Sequence, residues 1–391
     1  MRFYPEILDS TDNAEKSGID FNSRVFFADI SGFTLLTEML SKKGKEGTES
    51  LGEILKLLFG RTTEIIEKNN GFVSGFAGDA FTAIFPENSS TEKNFFSALF
   101  EVRENFMNIS TDSQIPVKIS AKIGAGRGRV FGKIIKTPEK SLFYFDGSGI
   151  RKAISAEKTA LPMSICADRK SFPKSEYFES EELKEKDYIS IFSRGLVFED
   201  SVCKAIKESK ENFGKYFPEL DNRNLEGGFR RIVSVFVSVR DMSSFEDAIR
   251  KISANADEFK GYISMIDMTD KGMTVPVFFG MPLSREDDIK RAMDFALNLD
   301  NSVKKTFSIG ISEGVAYCGK VGGESFTSYT AFGDKVNSAA RLMQAGSAGD
   351  IVTDEETAKA SSESFSFEFS GEMSLKGKSG KIKTFLLKNK M

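Results

Sequence analysis

The chain has 391 residues, and its 54 basic and 57 acidic side chains leave a formal net charge of -3, so no global field favours nucleic acid or an anionic lipid surface. At roughly 100–200 residues per domain, this length calls for two domains. There is no histidine and there are only three cysteines, which excludes Ser-His-Asp catalysis, histidine-ligated zinc and a disulfide framework, and leaves the chemistry to carboxylates, lysine, arginine and bound metal.

The N-terminal MRFYPEILDS has no basic start leading into an apolar run, and no stretch of about 18 apolar residues occurs, so no membrane span is expected and the chain reads as soluble and cytoplasmic. In chain order, RVFFADISGFT at 24–34 predicts a strand that breaks into a small-residue turn before the helical run LLTEML. A helical pattern follows over 48–68, then a hairpin at 71–86, GFVSGFAGDAFTAIFP, and a strand beginning KIGAGRG at 122.

The same order returns. RIVSVFVSVRD at 231–241 matches 24–34, a helical pattern runs over 244–259, GYISMIDMTDKGMTVPVFFG at 261–280 reads as a hairpin, and SIGISEGVAYCGKV from 308 echoes 122 onward. Gly124 to Gly147 and Gly310 to Gly333 share one spacing, each later glycine opening a helical pattern. Each copy therefore predicts a βαββαβ, ferredoxin-like α+β unit. The expected division is a first domain at 20–200, a charge-rich linker at 201–226 and a second domain at 227–391.

Asp29 ends an apolar strand and precedes Ile30, Ser31, Gly32, Phe33 and Thr34, a turn whose free backbone N–H groups suit phosphate oxygens. Asp79 occupies the turn of the 71–86 hairpin. Each acid alone reads more readily as a cap or turn residue. In a βαββαβ sheet, however, the first strand and the hairpin are neighbours, and two hard oxygen ligands beside phosphate-binding amides suit magnesium or manganese with a nucleoside triphosphate.

The second copy has Ser238 in place of Asp29 and Met273 in place of Asp79, so it lacks the metal ligands. It offers instead Lys271, Thr330, and Asn337 with Arg341 four residues apart on one helical face. The first copy carries Arg151 and Ser155 at those last two places. The halves are complementary, which predicts one complete site and one empty mirror image.

The segments FFADISGFT, FAGDAF, YTAFGDKVNSAARLM and LKGKSGKIKTFLL resemble the class III adenylyl and guanylyl cyclases, in particular the tandem catalytic domains of soluble adenylyl cyclase, over about residues 20–390. The resemblance implies two cyclase homology domains packed head to tail as a pseudo-two-fold heterodimer within one monomeric chain. It implies ATP as substrate, two divalent ions (magnesium or manganese) on Asp29, Asp79 and the Ile30 carbonyl, and triphosphate contacts from Gly32, Phe33, Thr34 and Lys122. A later lysine, Lys378 or Lys376, matches a further triphosphate contact of some members. Asn337 matches the ribose-orienting residue and Arg341 the phosphate-stabilising one, while Lys271 and Thr330 match the adenine-reading pair. A catalytically silent nucleotide-binding module and a guanylyl cyclase stand as alternatives. The lysine and arginine that hold bicarbonate in soluble adenylyl cyclase are replaced by Gly75 and Ile154, so bicarbonate activation is not expected.

Overall fold

The computed structural model describes residues 5–8, 18–112, 115–185, 187–194, 226–239, 245–269, 272–302, 307–323, 326–374 and 381–391. The expected linker at 201–226 lies almost wholly outside the described residues.

The first half runs β1 (Ile19–Ser31), α1 (Phe33–Ser41), α2 (Gly44–Leu55), a π turn at Lys56–Gly60, α3 (Arg61–Lys68), β2 (Phe72–Ala77), β3 (Ala80–Pro86) and α4 (Glu92–Thr111). It continues with β4 (Ser120–Lys136), β5 (Ser141–Asp146), α5 (Ser148–Glu157), β6 (Ile165–Asp168), β7 (Phe178–Glu182) and β8 (Tyr188–Arg194). The second half runs β9 (Gly228–Val239), α6 (Phe245–Phe259), β10 (Tyr262–Ile263), β11 (Asp267–Thr269), β12 (Gly272–Phe279), α7 (Asp288–Ser302) and β13 (Phe307–Gly322). It closes with β14 (Thr327–Phe332), α8 (Asp334–Ala345), β15 (Ile351–Asp354), α9 (Glu355–Ser361), β16 (Phe365–Ser374) and β17 (Lys381–Lys390).

The chain thus forms two mixed α+β units. Among the described residues the sheet orders are β2-β3-β1-β4-β6-β8-β7 and β10-β12-β9-β13-β15-β17-β16, one order used twice. The first four strands of each path carry the ferredoxin-like core, and the last three, beginning with the parallel β6 or β15, extend it beyond the expected βαββαβ unit. Register confirms the internal alignment. Asp29 pairs with Lys122 and Ala80, while Ser238 pairs with Ser308 and Thr274, so Ser238 and Met273 do occupy the places of Asp29 and Asp79.

The repeated glycine spacing has a packing cause. A Cβ on Gly124 would lie 2.1 Å from the Ala153 carbonyl of α5, and one on Gly310 would lie 2.1 Å from the Ala339 carbonyl of α8. Each glycine lets a helix rest directly on the sheet, and that helix begins just after the second glycine of the pair. The capping box of Thr91 with Asn94 fixes the start of α4, which buries Phe95, Phe96, Leu99, Phe100 and Phe106.

The halves exchange hairpins. The outer part of β4 with β5 reaches across, so that Ile135, Leu142 and Tyr144 join the core of the second half. Lys140, at the tip, is 4% exposed and pairs with Asp257 at 3.2 Å. In return, β13 and β14 place Tyr317, Val321, Phe326 and Phe332 in the core of the first half. Phe332 lies 5.2 Å from Phe33 and 5.8 Å from Phe59, ring centre to ring centre. Such contacts combine large apolar burial with specific ring geometry. Phe332→Ala should therefore cost about 3–5 kcal/mol in denaturant unfolding, whereas Val315→Ala, at a half-exposed site on the neighbouring strand β13, should change stability by about 0.5 kcal/mol or less.

Candidate active site

Between the halves lies a cleft of about 660 Å³ that draws its lining from both. The first half contributes the end of β1, the start of α1 and the β2–β3 turn; the second contributes β9, the β10–β12 hairpin, β14 and α8.

The two acids meet at one edge because of strand register. Asp29 stands opposite Ala80, and the Ile30 N–H donates to the Asp79 carbonyl at 3.2 Å, which ties the tight turn to the end of β1. Both carboxylates line the cleft, as does Ile30. No cluster of three or more His, Cys, Asp or Glu suited to a metal occurs among the described residues. Two carboxylates and a carbonyl are an incomplete but hard-oxygen set, which fits ions such as magnesium that take their remaining ligands from water and substrate phosphates.

Gly32 has φ 92° and starts α1, and a Cβ there would lie 2.4 Å from the Lys118 carbonyl. Glycine is required both by the left-handed backbone and by the close approach. The turn brings Gly32 and Thr34 to the cleft. The Phe33 side chain points the other way, 2% exposed against Phe59 and Phe332, and is not part of the cleft lining; its ring anchors the helix.

From the second half, Asn337 and Arg341 both line the cleft from one face of α8. The Asn337 Nδ2 donates to the Thr34 Oγ1 at 2.9 Å, a hydrogen bond that crosses from one half to the other. Thr330 is buried in the wall at 2% exposure. Of the expected site residues, Asp29, Ile30, Gly32, Thr34, Asp79, Thr330, Asn337 and Arg341 therefore converge. Lys122 stands directly across from Asp29 but is not part of the lining, and its charge is felt at the Cys166 thiol. Lys271, Lys376 and Lys378 lie outside the described residues.

Several lining residues escaped the sequence reading: Glu38, Phe236, Met265, Asp267, Thr274 and Phe278. Thr274 pairs with Asp267 on one side and Ser238 on the other, and Pro276 pairs with Phe236, so alternation along β12 puts these side chains on one sheet face. That alternation was the available signal. It was hidden because β10 and β11 are separated by residues 264–266.

The mirror-image position has closed. Phe27, Phe145 and Ile150 stand where Phe236, Ala331 and Val336 line the open cleft, and around them only about 20 Å³ remains. A Cβ on Gly75 would lie 2.8 Å from the Met265 methyl group, and Ile154 is buried in apolar core. Arg151, at the Asn337-equivalent place, is engaged by Asp146.

Residues 237–389 match the family described as the adenylate and guanylate cyclase catalytic domain. Adenylate cyclase type 10 of Homo sapiens is 25% identical over 382 residues, and that of Oryctolagus cuniculus 24% identical over 380, each match covering 83% of this chain. The chain spans only 24% of the length of these relatives. Among solved structures, a class III adenylyl cyclase-like ATP-binding protein from Pseudomonas aeruginosa superposes with a TM-score of 0.55 at 13% identity, covering 87% of this chain and 85% of that one. This likeness in fold extends over both halves. No helix among the described residues is long and apolar enough to cross a membrane. The chain is thus similar to the class III nucleotidyl cyclases, and the part that matches their catalytic-domain family is 237–389.

Proposed function

We propose that the chain is an adenylyl cyclase that converts ATP into 3′,5′-cyclic AMP and pyrophosphate in the 660 Å³ cleft. The observation that carries this reading is the convergence of Asp29 and Asp79 from one half with Asn337 and Arg341 from the other. The division at 20–200, 201–226 and 227–391, the pairing of the two domains within one monomer, and a soluble, cytoplasmic setting belong to the same proposal.

In the reaction the ribose 3′ oxygen attacks the α-phosphorus, the bond to the bridging oxygen of the β-phosphate breaks, and pyrophosphate leaves in line. Asp29, Asp79 and the Ile30 carbonyl would hold two divalent ions, magnesium or manganese, which when bound lower the pKa of the 3′ hydroxyl and offset the triphosphate charge. The N–H groups of Phe33 and Thr34 at the start of α1 accommodate phosphate oxygens. Lys122 and Lys378 are the further triphosphate ligands that the family resemblance implies. Asn337, its rotamer fixed by Thr34 Oγ1, orients the ribose toward attack geometry. Arg341 opposes the charge that grows on the α-phosphate. Thr330, with Lys271, meets the adenine edge. Retention of the two acids together with Asn337 and Arg341 favours this reading over a silent nucleotide-binding module.

Purified protein given ATP and manganese should release cyclic AMP, and Asp29→Ala, Asp79→Ala or Arg341→Ala should each lower kcat by roughly 10²–10³-fold. Product no higher than the Asp79→Ala background with both ATP and GTP would contradict the proposal. A double-mutant cycle of Thr34→Val and Asn337→Ala, measured on nucleotide affinity, should give a coupling of about 0.5–1.5 kcal/mol. A coupling near zero would remove Thr34 from the positioning role.

A further inference from the structure

Asn337 and Arg341 reach the cleft only while α8 keeps one rotation about its own axis, and the sheet beneath the helix shows what fixes that rotation. Gly310, Ser312 and Gly314 alternate onto one face of β13. Gly310 lies under the Ala339 carbonyl, and Gly314 lies under Lys335. A Cβ on Gly314 would sit 2.7 Å from the Lys335 Cγ, 3.4 Å from its Cδ and 3.3 Å from its Cε. The lysine stem therefore runs flat across a strand left bare at that point.

Beyond the strand, the Lys335 Nζ donates to the Asp354 Oδ2 at 3.3 Å and to the Glu356 carboxylate. Asp354 ends β15 and caps α9. Its Oδ1 accepts from the Thr357 N–H at 2.8 Å, and its Oδ2 accepts from the Ser312 hydroxyl at 2.6 Å. The acid is thus held by α9 and by β13 independently of the lysine that reaches it. Only 18% of the Lys335 side chain and 9% of the Asp354 side chain are exposed. Burial works against both charges, yet Asp354 and Glu356 hold the ammonium above its ordinary value. Lys335, Ser312 and Thr357 likewise hold the Asp354 carboxyl below its own.

A cation in the first turn of α8 opposes the helix dipole, so local helix preference gives no reason for Lys335. Its angular position does. At about 100° per residue, Asn337 lies roughly 200° and Arg341 roughly 240° around the helix from Lys335. Drawing Lys335 onto the sheet therefore turns both toward the cleft, whose lining does not include Lys335 itself.

We propose that Lys335, pinned to Asp354 across Gly314, is the positioning residue that sets the rotation of α8 and so aims Asn337 and Arg341 at the nucleotide, an inference that rests on the cyclase reading given above. The first half supplies a comparison. Counted along the paired registers, Gly149 and Asp168 occupy the places of Lys335 and Asp354. There the tie to Asp168 comes from Lys152, about one turn further along α5, at 3.2 Å and with 39% of its side chain exposed. That helix carries Arg151 and Ser155 where α8 carries Asn337 and Arg341, so the same kind of tie holds an element with no part in the chemistry.

The test is steady-state production of cyclic AMP by the full chain with ATP and manganese, with the folded fraction of each variant taken from circular dichroism. Lys335→Met should lower kcat by roughly 10–100-fold while KM stays within about twofold. Lys335→Arg, which keeps a charge within reach of Asp354, should recover most of that loss. Asp354→Asn retains the α9 cap and removes the partner charge, so it should lower kcat in the same direction, and it carries the test if Lys335→Met fails to fold. Lys152→Met should leave kcat within about twofold. Combined with Asn337→Ala, Lys335→Met should cost at least about threefold less than it does alone, because one of the two residues it aims is gone. Unchanged kcat with a lowered Tm, equal losses from Lys335→Met and Lys152→Met, or losses that simply multiply with Asn337→Ala, overturn the proposal.

Hydrogen exchange in the ligand-free chain separates this proposal from the cyclase reading. The Asn337 N–H donates to the Gly333 carbonyl at 3.2 Å in the first turn of α8. Lys335→Met or Asp354→Asn should speed its exchange by roughly tenfold while the amides of α5 keep their rates. If no cyclic product forms, the cyclase reading fails and the exchange rates still decide whether Lys335 holds α8. Unchanged exchange at Asn337 overturns the proposal whether or not product forms.

Discussion

The exchange of hairpins between the two halves is the constraint on which the rest of the structure depends. Ile135, Leu142 and Tyr144 of the first half complete the core of the second, while Tyr317, Val321, Phe326 and Phe332 of the second complete the core of the first. Neither core closes without the other half. The same packing fixes the cleft, because Phe332 leads through Gly333 into α8, while Phe33, against which it packs, belongs to the first turn of α1. The hydrogen bond from Asn337 to Thr34 therefore joins two helices whose positions are already set by buried aromatic rings.

Divergence within a common frame then separates the two pockets. Register keeps Ser238 and Met273 at the places of Asp29 and Asp79, so the backbone is duplicated while the ligand chemistry is not. In the open cleft Ala331 and Val336 leave room beside the sheet. Phe145 and Ile150 fill the equivalent space in the mirror pocket. A few large side chains have turned one of two related cavities into core, and the absence of a Gly75 side chain leaves room for Met265.

Much of this was legible in the sequence. The repeated Gly124–Gly147 and Gly310–Gly333 intervals marked two copies of one unit, because a helix lying on a strand needs a glycine at the contact. Asp29, Asp79, Asn337 and Arg341 could be placed because strand ends, tight turns and i, i+4 spacing are local features. What stayed hidden depended on direction and distance. Lys122 has the right register but is not part of the cleft lining. Asp267 sits in a hairpin whose alternation is interrupted, and only the sheet register shows that it shares a face with Thr274. The closure of the mirror pocket is a matter of side-chain volume across an interface, which no linear pattern displays.

The central claim is one working cleft per chain, assembled from unequal halves. Calorimetric titration of the chain with a non-hydrolysable ATP analogue and magnesium tests it most directly. The account predicts one nucleotide bound per chain, with binding abolished by Asp29→Ala combined with Asp79→Ala. Two nucleotides per chain, or one whose affinity is indifferent to those carboxylates, would contradict it.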